Sequence, residues 1–213
     1  MRVLILGATG GTGREALQAL LDAGHEVTAL VRSPLNVESD RLTVMRGDAL
    51  NAADVDAAVR GQDAVVVTLG IRENPLRVRF RGAGATSSQV RSEGTRLVVA
   101  AMQKHDVKKL IVQSSYGVGP SREMLTLKWR LIFSLLLKPQ IADTEVQEVV
   151  VRESGLDWVL VQPVGLTDTD DERVFTSETN ETQSMAVSRR AVGRLLASFV
   201  SSPLAGKTIA VSS

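Results

Sequence analysis

Short apolar runs alternate along this chain with longer stretches of helical spacing. Val3–Leu6 is apolar throughout, and Arg14–Ala23 repeats apolar residues at helical intervals. The same alternation recurs in Val27–Val31, then Leu42–Met45 with helix-like Ala52–Val59, then Ala64–Leu69. Ser88–Lys104 reads as a long helix before Leu110–Gln113, and Ile141–Glu153, stopped by Gly155, precedes Trp158–Val161. Ser188–Val200 and Thr208–Val211 complete the series. Strand runs that are apolar at consecutive positions are buried on both faces, which is the signature of a parallel sheet between helices. Strand–helix alternation at these lengths predicts βαβ units. The expected fold class is α/β: one Rossmann-fold domain over residues 1–213, doubly wound, with helices on both faces of a mostly parallel sheet. The part from about residue 114 to 213 is expected to complete a substrate pocket.

Two stretches break the pattern. Arg72–Thr86 carries Arg72, Arg77, Arg79 and Arg81 with Pro75, Gly82 and Gly84. Loops this long inside a compact domain are commonly functional, and a lid over an anionic ligand stands beside a solvated basic loop as its reading. Trp129–Leu137 is apolar but interrupted by Arg130. It falls well short of the ~20 residues of a membrane helix, and reads as core packing or a partner surface.

Composition narrows the function classes. Of the 213 residues, 44% are hydrophobic and 23% charged, with a net charge of +1. That balance gives no electrostatic reason to expect nucleic acid or a membrane surface as a partner. With no cysteine, disulfides, zinc–cysteine sites and thiol nucleophiles are excluded. The first residues enter a strand without the three zones of a secretory signal. A cytoplasmic protein, monomeric or homodimeric, is expected.

The candidate chemistry begins at Gly7-Ala8-Thr9-Gly10-Gly11-Thr12-Gly13, between the first strand and the first helix. Gly7 permits a tight exit from the strand, Gly10 lets a pyrophosphate approach the backbone, and Gly13 brings the helix close to the sheet. The open N–H groups and positive dipole end of that helix suit phosphate, and Thr9 and Thr12 add hydroxyls. The second strand ends in Val31-Arg32-Ser33, with no acid for a ribose diol. An arginine at that point suits a 2′-phosphate, so the expected cofactor is NADP(H), with NAD(H) less favoured. Gly47-Asp48-Ala49 ends the third strand, where Asp48 is placed either to accept from adenine or to cap a helix. Thr68-Leu69-Gly70 ends the fourth strand and is expected to line the cofactor.

In open parallel sheets, ligands bind beyond the carboxyl ends of the strands. His25 and His105 precede strands, at the opposite edge, and are not expected to be catalytic. Ser114, Ser115 and Tyr116 lie at the correct edge and are the catalytic candidates. Tyr116 has Pro120, not lysine, four places on, so the Tyr-x-x-x-Lys pair is absent. Pro163 and Val164 end the sixth strand, with backbone suited to a nicotinamide carboxamide. Asp143 and Glu148 are read as helix packing and solvation. A chain lacking an acid–base pair fits a conjugated small-molecule acceptor, for which hydride transfer rests on proximity and orientation.

Gly7–Gly13, Val31-Arg32, Gly47-Asp48, Ala52–Asp56, Gly61–Val65, Leu69-Gly70, Ser92-Glu93-Gly94, Val99–Met102 and Val151–Leu156 together resemble the flavin reductase (NADPH)/biliverdin-IXβ reductase group. That group belongs to the atypical short-chain dehydrogenases and lies near the NmrA-like proteins. The resemblance runs collinearly over nearly the whole chain and is strongest to residue 113. It implies NADPH-dependent reduction of flavins and open tetrapyrroles. It also implies that Gly7, Thr9, Gly10, Gly11, Thr12 and Gly13 hold the pyrophosphate, and that Arg32 and Ser33 hold the 2′-phosphate. Asp48 and Ala49 would meet adenine, while Leu69, Gly70, Ser114 and Pro163 would lie near nicotinamide and substrate. A family histidine on the helix before Val151 is replaced here by Thr144. The alternatives are an NmrA-like redox sensor that binds dinucleotide without catalysis and, less favoured for want of the Tyr–Lys pair, a nucleotide-sugar epimerase or dehydratase.

Overall fold

The computed structural model describes residues 1–70, 87–125 and 138–213. Arg72–Arg81 and Trp129–Leu137 lie outside them. Ten strands, five α-helices and one short 3₁₀ helix (Gly119–Met124) are described: β1 (Arg2–Leu6), α1 (Gly11–Asp22), β2 (Glu26–Val31), β3 (Leu42–Arg46), α2 (Ala52–Val59), β4 (Ala64–Val67), α3 (Val90–Lys104), β5 (Lys109–Gln113), α4 (Lys138–Arg152), β6 (Asp157–Pro163), β7 (Gly165–Thr167), β8 (Phe175–Ser177), β9 (Ala186–Ser188), α5 (Arg189–Val200) and β10 (Lys207–Ser212). The main sheet has the order β3-β2-β1-β4-β5-β6-β10-β8. All its pairings are parallel except β10 with β8. Strand order reverses between β1 and β4, the switch point at which such sheets bind ligands.

Successive strand residues face opposite layers. Val3, Ile5, Val27, Ala29, Val66, Ile111, Val159 and Val161 pack on α1 and α5. Leu4, Leu6, Leu30, Val65, Val67, Leu110, Val112 and Leu160 pack on α2, α3 and Val151. Each central strand is apolar on both faces because both are covered, as its unbroken apolar run implies.

β4 ends at Val67, two residues short of the expected Leu69. The Thr68 hydroxyl donates to the Leu6 carbonyl at 2.9 Å, in addition to the backbone bond from the Thr68 N–H. Three short strands are additions to the expected set. β7 and β9 pair in parallel as a small separate sheet, and β8 closes the edge beside β10.

Helix α4 reverses the usual amphipathic pattern. It buries Asp143, Thr144, Gln147 and Glu148, while Val146 and Val149 are 46% and 51% exposed. Of the expected helix packing and solvation of Asp143 and Glu148, the packing is present and the solvation is not. Asp143 receives the backbone N–H groups of Arg91 and Ser92 at 3.0 and 3.2 Å and also the Ser92 hydroxyl. It thus caps the N-terminus of α3 from a neighbouring helix, where a carboxylate is favoured.

Candidate functional site: a cleft over the glycine turn

The glycine turn is held by three interlocking backbones. Gly7 leaves β1 at φ +89°, and its carbonyl accepts from the Gly10 N–H at 2.9 Å. A Cβ on Gly7 would lie 2.6 Å from the Thr68 carbonyl oxygen, and one on Gly13 would lie 2.1 Å from the Gly7 carbonyl oxygen. Gly10 then caps α1 without any side-chain acceptor, and no acidic residue occupies its first turn. The positive end of the helix is left facing the cleft, where an anionic group is favoured.

Two adjoining depressions open above this turn. One, of about 90 Å³, is lined among others by Gly7, Thr9, Gly10, Arg32, Ser33, Asp48, Ala49, Leu69 and Gly70. The other, of about 280 Å³, is lined by Gly10–Gly13, Thr68, Leu69, Gly70, Arg91, Gln113 and Arg189. Gly10, Thr68, Leu69 and Gly70 border both. The two therefore form one cleft, with Arg32 at one end and Gln113 at the other. Arg32 and Ser33 are exposed at its rim.

Asp48 is placed by its surroundings. Its carboxylate accepts from the Leu50 N–H at 3.0 Å, and its own N–H donates to Asp54 at 2.8 Å. Capping of α2 falls to Asn51, whose side chain accepts from Ala53 and Asp54. Asp48 is thus left at the cleft wall rather than at a helix end.

The catalytic candidates separate. The Ser114 hydroxyl donates to Glu148, which is 3% exposed and also receives Gln162 at 2.7 Å and Arg152 at 2.9 Å. Tyr116 is buried, its hydroxyl donates to the Asn180 carbonyl at 2.8 Å, and burial raises its pKa. The Ser114 and Tyr116 hydroxyls are therefore hydrogen-bonded within the protein. Ser115 is half-buried and, among the described residues, makes a long 3.4 Å contact to a backbone carbonyl. Pro163 and Val164 are paired through their backbones to Tyr116 and Val211. None of these five residues lines the two depressions. His25 and His105 sit before β2 and β5, at the far edge of the sheet.

Three cleft residues escaped the sequence reading: Arg91, Gln113 and Arg189. Gln113 carried a usable signal, because it follows Ile111 on the same face of β5, a polar residue in an inward register. It is 7% exposed, and its Oε1 is buried without a hydrogen-bond partner. The buried Nη1 of Arg91 also lacks a partner. Arg189 folds over Gly11 and pairs with Asp168 at 2.6 Å. Unpaired buried polar atoms are costly; of these two residues beside one cleft, Arg91 offers a donor that calls for an acceptor, and Gln113 an acceptor that calls for a donor. Among the described residues, no cluster suits a metal ion, and no helix is long and apolar enough to cross a membrane.

Comparison with known proteins agrees with this geometry. The chain is 29% identical over 205 residues to a (4-alkanoyl-5-oxo-2,5-dihydrofuran-3-yl)methyl phosphate reductase of Streptomyces griseus, covering 95% of this chain and 57% of that protein. It spans between 40% and 59% of the length of this and three other curated relatives it matches. Among solved structures, a Rossmann-fold NAD(P)-binding protein of Shigella flexneri superposes with a TM-score of 0.72 at 27% identity, covering 99% of this chain and 92% of that one. An anaerobilin reductase of Escherichia coli O157:H7 shares the fold at a TM-score of 0.76 and 21% identity, with 99% and 96% covered. The match to the NAD(P)H-binding family runs over residues 7–203, from the first glycine of the turn to beyond α5; the chain belongs to that family.

Proposed function

We propose that this protein is an NADPH-dependent reductase that passes hydride to a flavin, an open tetrapyrrole or a similar conjugated acceptor. The observation that carries the reading is the single cleft, with the glycine turn in its floor and Arg32 and Ser33 at one end. The glycine turn offers backbone N–H groups to the diphosphate. Arg32 offers a forked cation to a 2′-phosphate, where a ribose diol would instead call for an acid. The nicotinamide, when bound, supplies the hydride. Ser115 has the least committed hydroxyl of the three candidates at the end of β5, and it orients the acceptor by donating to a carbonyl oxygen. The acceptor takes its proton from solvent, which suits a conjugated system whose charge is delocalised. By their names, the Streptomyces griseus relative reduces a (4-alkanoyl-5-oxo-2,5-dihydrofuran-3-yl)methyl phosphate and the Escherichia coli neighbour an anaerobilin.

The test is NADPH oxidation with FMN, riboflavin, a quinone and a linear tetrapyrrole as acceptors. Ser115→Ala is expected to lower kcat/KM by about 1–2 kcal/mol, the scale of one hydrogen bond, with NADPH affinity unchanged. Tight NADPH binding without oxidation by any acceptor would overturn the reductase reading in favour of a dinucleotide sensor.

A further inference from the structure

We propose that Arg91 is a second cationic wall of the cleft, holding the dinucleotide's diphosphate against the glycine turn from the opposite side. Arg91 is the second residue of α3. Its backbone N–H is already bound by Asp143, so the helix cap does not require its side chain. The guanidinium lies against Gly70: a Cβ there would come within 3.0 Å of Nη2. Gly70 borders both depressions, so Arg91 stands where the Arg32 end meets the Gln113 end. That is where the middle of an extended dinucleotide lies when its 2′-phosphate is at Arg32.

Charge makes the same point. Among the described residues, no carboxylate comes within 4 Å of the Arg91 guanidinium, whereas Arg189 across the cleft is already paired with Asp168. Nη1 is buried and unpartnered. Burial lowers the guanidinium's pKa, and Asp143 only partly opposes this. A buried guanidinium nitrogen without an acceptor is costly, and a diphosphate supplies both the opposite charge and acceptors suited to the planar fork. Gln113, with its buried unpartnered Oε1, lies farther along the same wall and is independent evidence that this wall faces a polar ligand.

This inference rests on the dinucleotide reading, and its test separates the two. Dissociation constants for NADPH, NADH and adenosine 2′-phosphate are measured by calorimetry for wild type, Arg91→Gln and Arg91→Lys. The expected result is that Arg91→Gln weakens NADPH and NADH by the same factor, roughly ten- to hundredfold for a charge-assisted contact. Arg91→Lys recovers part of the loss, and adenosine 2′-phosphate, which has no diphosphate, is unaffected. Unchanged affinity for both dinucleotides overturns the proposal, and so does a parallel loss for all three ligands, which marks a structural role. If dinucleotide affinity holds while KM rises for FMN but not for riboflavin, Arg91 serves the acceptor's phosphate and the proposal fails. A wild-type protein that binds neither dinucleotide overturns the cofactor reading itself, and the proposal with it.

Discussion

Gly13→Ala is expected to destabilise the protein by about 3 kcal/mol and to abolish dinucleotide binding, a cost at the upper end for forcing extra volume into a packed site. The added methyl would lie 2.1 Å from the Gly7 carbonyl oxygen and 2.7 Å from the Thr68 hydroxyl. Neither neighbour can yield easily. Gly7 holds the turn at φ +89°, packed so closely on the Thr68 carbonyl that its own Cβ would lie 2.6 Å from it, and the Thr68 hydroxyl is tied to Leu6. Relief requires α1 to move off the sheet, taking its N–H groups out of the cleft. Helix propensity works in the opposite direction, since alanine is favoured over interior glycine by about 1 kcal/mol. Gly11→Ala is the control. Its methyl meets only the Arg189 side chain, which can swing aside, so the expected change in stability is within about 0.5 kcal/mol. Urea denaturation of both variants decides the matter; equal stability of the two would refute the interlock.

Glu148→Ala is expected to cost about 1–3 kcal/mol, the scale of a buried polar group left without its partner. One carboxylate satisfies the Ser114 hydroxyl, the Gln162 amide and the Arg152 guanidinium. Its loss leaves the buried Ser114 hydroxyl without its acceptor, while Gln162 keeps the Val118 carbonyl and Arg152 keeps the Thr208 hydroxyl. Glu148→Gln keeps an acceptor for Ser114 but turns a neutral amide towards Arg152, so a smaller loss is expected. The readout is the denaturation midpoint together with kcat. Because Ser114 adjoins Ser115, the account also predicts lower kcat in Glu148→Gln through displacement of the end of β5. A loss of stability below about 1 kcal/mol for Glu148→Ala, the range of a surface pair, would show that the network is not the anchor described.

The parts of this architecture that rest on repeated local pattern were legible in the sequence. The central strands are apolar at every position because both faces are covered, and that alone announces a parallel sheet. The glycine turn was legible because Gly7 and Gly13 each answer to a backbone approach that a Cβ would block. The place of Arg32 at the cleft was legible because its position after β2 is fixed by the fold. What escaped depended on contacts between distant segments. Strands β7, β8 and β9 are three residues each, too short for any alternation to register. The polar stripe on α4 at positions 143, 144, 147 and 148 has helical spacing, but only the sites it meets, the start of α3 and Ser114, show that it faces inward. Arg91 gave no local signal at all: it looks like any arginine in the first turn of a helix until Gly70 and the glycine turn are brought beside it.

The most direct test of the account is a calorimetric titration of wild type and Arg32→Ala with NADPH and NADH. The account predicts that wild type binds NADPH more tightly, and that Arg32→Ala loses about 1.5–3 kcal/mol of NADPH affinity, as for a hydrogen bond to a charged group, with little change for NADH. If neither nucleotide binds wild type, or if Arg32→Ala keeps the full preference for NADPH, the cleft is not the cofactor site described.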